Sequence, residues 1–311
     1  MPEHPRPDFE RAQWQNLNGT WDFAFDALDQ GIQEGWAEGE TAFDRTILVP
    51  FPWGSNLSGV EDEADIGWYQ REIQVHQSWQ GKRIFLTIGA SDWETSIWLD
   101  GMLLGKYQGG YVPFSFELTD HIKYGEIQKL VIRADDARRD FTLYGKQGYG
   151  NARGIWQTIY LEARGDDYLD AIHFSPDIDN NKVKVTAYLS EVSDSDISLS
   201  LTITNPGDPI NHQAIIPAGK NKIRFDVDIP HPRLWNLEDP YLYEVEAELE
   251  EDVVRSYFGM RKISVVNLPG TDYPYIALND EPVYVQLALD QSYNPDGFYT
   301  FPSDQFMKDE I

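Results

Sequence analysis

From Gly154 the chain reads Gly-Ile-Trp-Gln-Thr-Ile-Tyr-Leu-Glu, in which Ile155, Gln157, Ile159 and Leu161 alternate with Trp156, Thr158, Tyr160 and Glu162. A two-residue period sends successive side chains to opposite faces of a β-strand. Gly145, Gly148 and Gly150 come just before it. With Gly154 they permit turns that a Cβ would resist, so a loosened loop is expected to run straight into this strand. The same period recurs along most of the chain, and no helical period competes before residue 300. An all-β architecture is therefore expected.

Two blocks of short strands follow from the pattern. In the first, Trp21-Asp22-Phe23-Ala24-Phe25-Asp26 turns aromatics one way and acids the other. Ile84 to Ile88, Trp93 to Leu99 and Leu130 to Ile132 come next, with Asp100-Gly101 as a hairpin turn of the kind that needs positive φ at both positions. Residues 1–165 are expected to form a jelly-roll sandwich. The second block, 166–268, alternates more cleanly, as in Val183, Val185, Ala187, Leu189 and in Tyr243, Val245, Ala247, Leu249. About seven such strands in about a hundred residues predict an immunoglobulin-like β-sandwich. The chain has no cysteine, so apolar packing alone must join its sheets.

Residues 269–311 differ. Val283-Tyr284-Val285-Gln286-Leu287-Ala288-Leu289 is an almost unbroken apolar run. Such runs mark strands buried on both faces, as in parallel sheets. Ser303 is placed to cap a helix starting at Asp304. One βα unit is expected here, where a closed βα barrel takes roughly 250 residues.

Charge excludes some partners. With 25 Lys and Arg against 52 Asp and Glu, the net charge is −27. That field repels nucleic-acid phosphates and anionic lipid, so neither nucleic acid nor membrane is an expected partner. Cysteine is absent and the six histidines show no ligand spacing, so no metal site and no cofactor are expected. The N-terminus lacks an apolar leader segment, which gives a cytoplasmic expectation. Glu61-Asp62-Glu63-Ala64-Asp65 reads as a solvated, self-repelling loop rather than a calcium site. Trp53, Trp68 and Tyr149 could stack on a sugar if exposed, although large rings at alternating positions more often fill cores.

Several motifs together resemble glycoside hydrolase family 2, the β-galactosidase and β-glucuronidase family. They are Leu17-Asn18-Gly19-Thr20-Trp21, Val49-Pro50-Phe51-Pro52-Trp53, Gly67-Trp68-Tyr69-Gln70-Arg71, Gly109-Gly110-Tyr111-Val112-Pro113-Phe114 and Gly154-Ile155-Trp156-Gln157. Asp239-Pro240-Tyr241-Leu242-Tyr243, Phe258-Gly259-Met260-Arg261 and Leu289-Asp290-Gln291 continue the order. The resemblance implies a galactose-binding-like jelly roll, an immunoglobulin-like sandwich and the start of a TIM barrel. It further implies a retaining enzyme acting on a β-linked glycoside with two glutamates, the acid/base one following an asparagine. No Asn-Glu pair occurs, so catalytic residues are not expected in this chain. By the same resemblance Lys146, Gln147 and Arg153 would approach substrate from the loop before Gly154. Asp290 and Gln291 would do so from the end of the first barrel strand.

The leading expectation is the non-catalytic N-terminal portion of a β-glycosidase, able to self-associate through its C-terminal remnant. A stand-alone lectin-like carbohydrate-binding protein and a structural double sandwich remain open beside it.

Overall fold

The computed structural model describes residues 3–137, 151–289 and 293–310, which divide into two units. The first comprises 13–163 and the C-terminal segment from 290; the second comprises 4–12 and 164–289. Both are β-sandwiches, as the strand pattern predicts.

In the first unit, a six-stranded sheet orders Arg45–Val49, Gly19–Phe25, Ile66–Gln74, Ile127–Asp135, Glu94–Leu99 and Met102–Gln108, all antiparallel. A four-stranded sheet orders Trp14–Asn16, Ile159–Arg164, Arg83–Ile88 and Phe114–Glu117. Trp21, Phe23, Tyr69, Ile97 and Ile132 from the first sheet and Ile84, Leu86, Ile159 and Leu161 from the second share one core. The six-stranded sheet is also covered on its other face, where Ile66, Trp68, Trp98 and Val131 pack with Ala37, Trp36 and Phe43. Burial on both faces explains why Ile66 to Gln70 are all buried and show no alternation. Asp100 and Gly101 take φ of 47° and 80°, as the hairpin reading requires.

The second unit pairs Leu169–Asp177, Lys182–Leu189 and Lys222–Asp228 in one sheet. Ile210–Ile216, Ile197–Ile203, Tyr243–Leu249 and Asp252–Phe258 form the other. In Lys182–Leu189, Ile197–Ile203, Tyr243–Leu249 and Asp252–Phe258 every second residue is buried, and one apolar core fills the space between the sheets. Residues 4–12 attach to this unit: Glu10 bridges Arg255, and the Arg11 guanidinium grips Asp252. Their composition carries no strand signal that reveals this.

A small sheet of Ile263–Asn267, Pro274–Leu278 and Glu281–Pro282 follows. The strand expected over 283–289 does not form. That stretch joins no sheet, and Tyr284, Leu287 and Leu289 are 74%, 87% and 83% exposed. A doubly buried strand needs parallel neighbours on both sides, and the described residues supply none. The expected helix is present as Asp304–Glu310, and the Phe306 N–H donates to the Ser303 hydroxyl at 3.1 Å. Among the described residues no helix is long and apolar enough to cross a membrane.

Candidate functional site

The strands Ser91–Asp92 and Gly154–Ile155 pair at one end of the first sandwich, with Gly154 opposite Asp92. Gly154 has φ of +70°, and a Cβ at that position would overlap the Trp53 ring and the Tyr69 hydroxyl. Trp53 and Tyr69 are fully buried, and the Ile155 N–H donates to the Tyr69 hydroxyl at 3.2 Å. Burial raises the Tyr69 pKa strongly, so the phenol stays neutral and can accept this bond. Glycine is thus required by conformation and by space at once.

Arg153, the one candidate substrate-binding residue within the described stretch, is occupied by the protein itself. Its Nη1 donates to the Ala64 carbonyl at 3.0 Å and lies 3.5 Å from Asp65 Oδ1. Glu63 Oε2 is 3.8 Å from Nη2, and Asp136 Oδ2 is 3.5 Å from Nε. The Asn151 side-chain amide also donates to Asp136, at 3.1 Å. Asp136 precedes the stretch 138–150, which lies outside the described residues, and Asn151 and Arg153 follow it. The acidic run at 61–65 is therefore not simply a solvated, self-repelling loop. Glu63 and Asp65 flank Arg153, and Asp62 pairs with Arg45 at 2.9 Å. Lys146, Gln147, Asp290 and Gln291 lie outside the described residues, as do Tyr149, Arg138 and Arg139. Trp53 and Trp68 are core residues with no face for a sugar.

Opposite Gly154 is a group the sequence pattern does not reveal. Asp92 is 5% exposed. A Cβ on Gly110 would lie 2.7 Å from the Asp92 Cγ, so the bare backbone of Gly110 rests on the carboxyl. Trp156 Nε1 donates to the Gly110 carbonyl at 2.8 Å, holding that loop in place. Tyr111, next along, is 50% exposed. The Tyr111, Trp156 and Tyr299 rings stand edge to face or tilted, with centroids 5.4 to 6.1 Å apart. Tyr299 arrives on the C-terminal segment, where the Thr300 hydroxyl lies 2.5 Å from the Trp156 carbonyl and 3.2 Å from that of Pro50. The Tyr299 hydroxyl is buried beside the Tyr111 phenol. Among the described residues no group of three or more His, Cys, Asp or Glu is placed to hold a metal ion.

Desolvation raises the Asp92 pKa from 3.8 to about 6. Burial, with Tyr299 and Asp92 nearby, raises that of the Tyr111 phenol. A carboxyl whose folded pKa is raised favours the fold fully below its unfolded value and loses that contribution as pH climbs through about 6. Asp92→Asn keeps the shape and removes the charge. It is expected to match the parent at pH 4 and to exceed it at pH 7.5 by about 1–2 kcal/mol, after discounting for partial solvent access. Urea unfolding at the two pH values checks this; equal gains at both would assign the effect to packing.

Comparison with known proteins agrees with this architecture. The model described as "Glycosyl hydrolases family 2, sugar binding domain" matches residues 14–161, and "Glycosyl hydrolases family 2" matches residues 168–261. A β-glucuronidase of Bacteroides fragilis is 26% identical over 263 residues, covering 76% of this chain and 35% of that protein. A β-galactosidase of Thermoanaerobacter pseudethanolicus is 23% identical over 244 residues, covering 72% of this chain and 31% of that protein. This chain thus spans about a third of the length of these curated relatives. The crystal structure of Ruminococcus gnavus β-glucuronidase superposes with a TM-score of 0.74 at 20% identity, over 94% of this chain and 52% of that one. Two adjoining family models, both matched in order across the two sandwiches, place this chain in glycosyl hydrolase family 2.

Proposed function

We propose that this chain is the accessory, non-catalytic portion of a retaining β-glycosidase, shaping a substrate site whose catalytic carboxyl pair lies elsewhere. The observation that carries this reading is the pair of family matches, 14–161 and 168–261, in a chain whose alignment covers only 31% and 35% of these two relatives. Retaining hydrolysis needs two carboxyl groups about 5–5.5 Å apart across the glycosidic bond, one as nucleophile and one as acid/base. No glutamate here follows an asparagine, as the family resemblance requires of the acid/base residue.

In this reading Lys146 and Gln147 donate hydrogen bonds to substrate from their loop, with Asp290 and Gln291 contributing from the C-terminal segment. Arg153 serves differently. Its ties to Ala64, Asp65 and Asp136 occupy the guanidinium, so it holds the chain next to Gly154 rather than meeting the sugar.

Hydrolysis of a panel of nitrophenyl β-glycosides by the purified chain tests the proposal. No turnover above buffer is expected for galactoside, glucuronide, glucoside or mannoside. Turnover abolished by mutating any carboxylate within residues 1–311 would overturn it.

A further inference from the structure

The small sheet of the second unit ends on Ile263–Asn267, which pairs on one side only, with Pro274–Leu278. The Asn279 N–H donates to the Lys262 carbonyl at 2.8 Å, and the Leu268 N–H donates to that of Tyr273 at 2.9 Å. Antiparallel neighbours alternate between pairs that exchange main-chain bonds and pairs that do not. Both bonds fall on even-numbered positions of the stretch 262–268, so Ser264 and Val266 turn their main-chain groups to Pro274–Leu278. Those of Ile263, Val265 and Asn267 point to the open edge, where no strand among the described residues meets them. The side chains of the same three residues share one face of the sheet. Ile263 and Val265 are 66% and 70% exposed there, and Ile276, opposite Val265, is 50% exposed. Edge strands are commonly blunted by a charge, a proline or a bulge, and Ile263–Asn267 has none of these.

We propose that this edge is an interface between two copies of the chain, joined antiparallel about a two-fold axis at Val265. The strand complements itself in that register. Val265 meets Val265, Ile263 meets Asn267, and every outward-pointing pair exchanges main-chain bonds, about six in all. The two small sheets become one, and Ile263, Val265 and Ile276 of both copies form a single apolar patch. A two-fold contact closes on itself, so association stops at the dimer.

Charge favours a second copy as the occupant. A net charge of −27 opposes contact between copies over most of the surface. Residues 261–278 depart from this balance, since their only charged side chains are Arg261, Lys262 and Asp272. Lys262 already holds Asp179 and Asp280, at 2.9 and 3.0 Å. Arg261 and Asp272 are exposed, and neither has an ion-pair partner among the described residues. The two-fold sets Arg261 of each copy two strand spacings, about 10 Å, from Asp272 of the other, a span the two side chains can close. A uniformly acidic or basic segment added at the same edge matches only one of these charges. Five paired residues fall short of the roughly 1,200 Å² that a stable interface buries, so a dimer dissociating at about 100 μM is expected.

Sedimentation velocity of the purified chain between about 5 and 500 μM tests the interface. Monomer is expected at the low end and mostly dimer at the high end. Val265→Pro removes an outward N–H that bonds nothing within the sheet, and proline is tolerated on an open edge, so this variant is expected to stay monomeric throughout. Val265→Lys leaves the backbone unchanged, sets two like charges at the axis and is expected to do the same. Leu287→Lys, in the exposed apolar run outside the sheet, should associate as the parent does. Residue-resolved hydrogen exchange adds a second readout. The amides of Ile263, Val265 and Asn267 should slow severalfold in the concentrated sample, while those of Ser264 and Val266 stay protected at every concentration. A chain that remains monomeric at about 500 μM leaves the edge to some other partner and overturns the assignment. So does a dimer undiminished in both Val265 variants, or one abolished by Leu287→Lys.

Discussion

Gly154→Ala is expected to destabilise the first sandwich by about 3 kcal/mol or more, the largest loss of any single methyl addition near the site. Two costs add. At φ +70° an L-residue pays roughly 1–2 kcal/mol for the left-handed conformation. The new Cβ must also displace the Trp53 ring or the Tyr69 hydroxyl. Neither can yield cheaply, because both are fully buried and packed against Phe23 at 5.9 and 5.0 Å between ring centroids. Gly81→Ala provides the control. Its φ is +88°, yet nothing lies within 4 Å of the added Cβ, so it carries the conformational cost alone. Thermal unfolding followed by tryptophan fluorescence reports the difference. Equal losses at the two positions would show that the Trp53–Tyr69 wall is soft.

In the second unit, Arg11→Met is expected to cost about 3–5 kcal/mol. Arg11 and Asp252 are 4% and 2% exposed, and the guanidinium meets the carboxylate with both Nε at 2.7 Å and Nη2 at 2.9 Å. Nη2 also donates to the Leu169 carbonyl at 2.6 Å, while the Leu169 N–H donates to Asp252 at 3.0 Å. Leu169 opens a strand of one sheet and Asp252 a strand of the other, so the pair clasps both sheets to the N-terminal segment. Removing the guanidinium leaves a buried carboxylate with too few donors, and that uncompensated charge, rather than the lost attraction, sets the size of the effect. Replacing both partners, as Arg11→Met with Asp252→Leu, should recover most of the loss. Because Trp235 is the one tryptophan in this unit, hydrogen exchange reports its unfolding better than fluorescence does. A double variant as unstable as Arg11→Met would mean that packing around the pair, not charge, governs the site.

The parts of this architecture that were legible in the sequence are those where burial is one-sided. Val183 to Leu189 and Tyr243 to Leu249 alternate because one face meets the core and the other meets water. Ile66 to Gln70 gave no such signal, since a second core around Trp68 and Trp98 covers the outer face of the same sheet. The apolar run at 283–289 misled for the converse reason, because hydrophobicity states a need for neighbours without providing them. At the site, Arg153 could be picked out from its place before Gly154, but not its acid partners at 63, 65 and 136. Asp92 is invisible to pattern reading. Its burial comes with the close approach of the Gly110 backbone, which no pattern in the sequence announces.

The first sandwich is written in two pieces of sequence, with most of the second unit between them. Thr300 meets the Trp156 carbonyl across a separation of 144 residues and that of Pro50 across 250. Closing so long a span in a disordered chain carries an entropic cost that grows with the logarithm of its length. Once residues 164–289 have folded, much of that span is taken up by a rigid body and the remaining search is short. The order of assembly is thereby biased: the inserted unit condenses first, and the returning strand of chain docks late. Tyr299 and Thr300 stand on the piece of the first sandwich whose docking closes that long span.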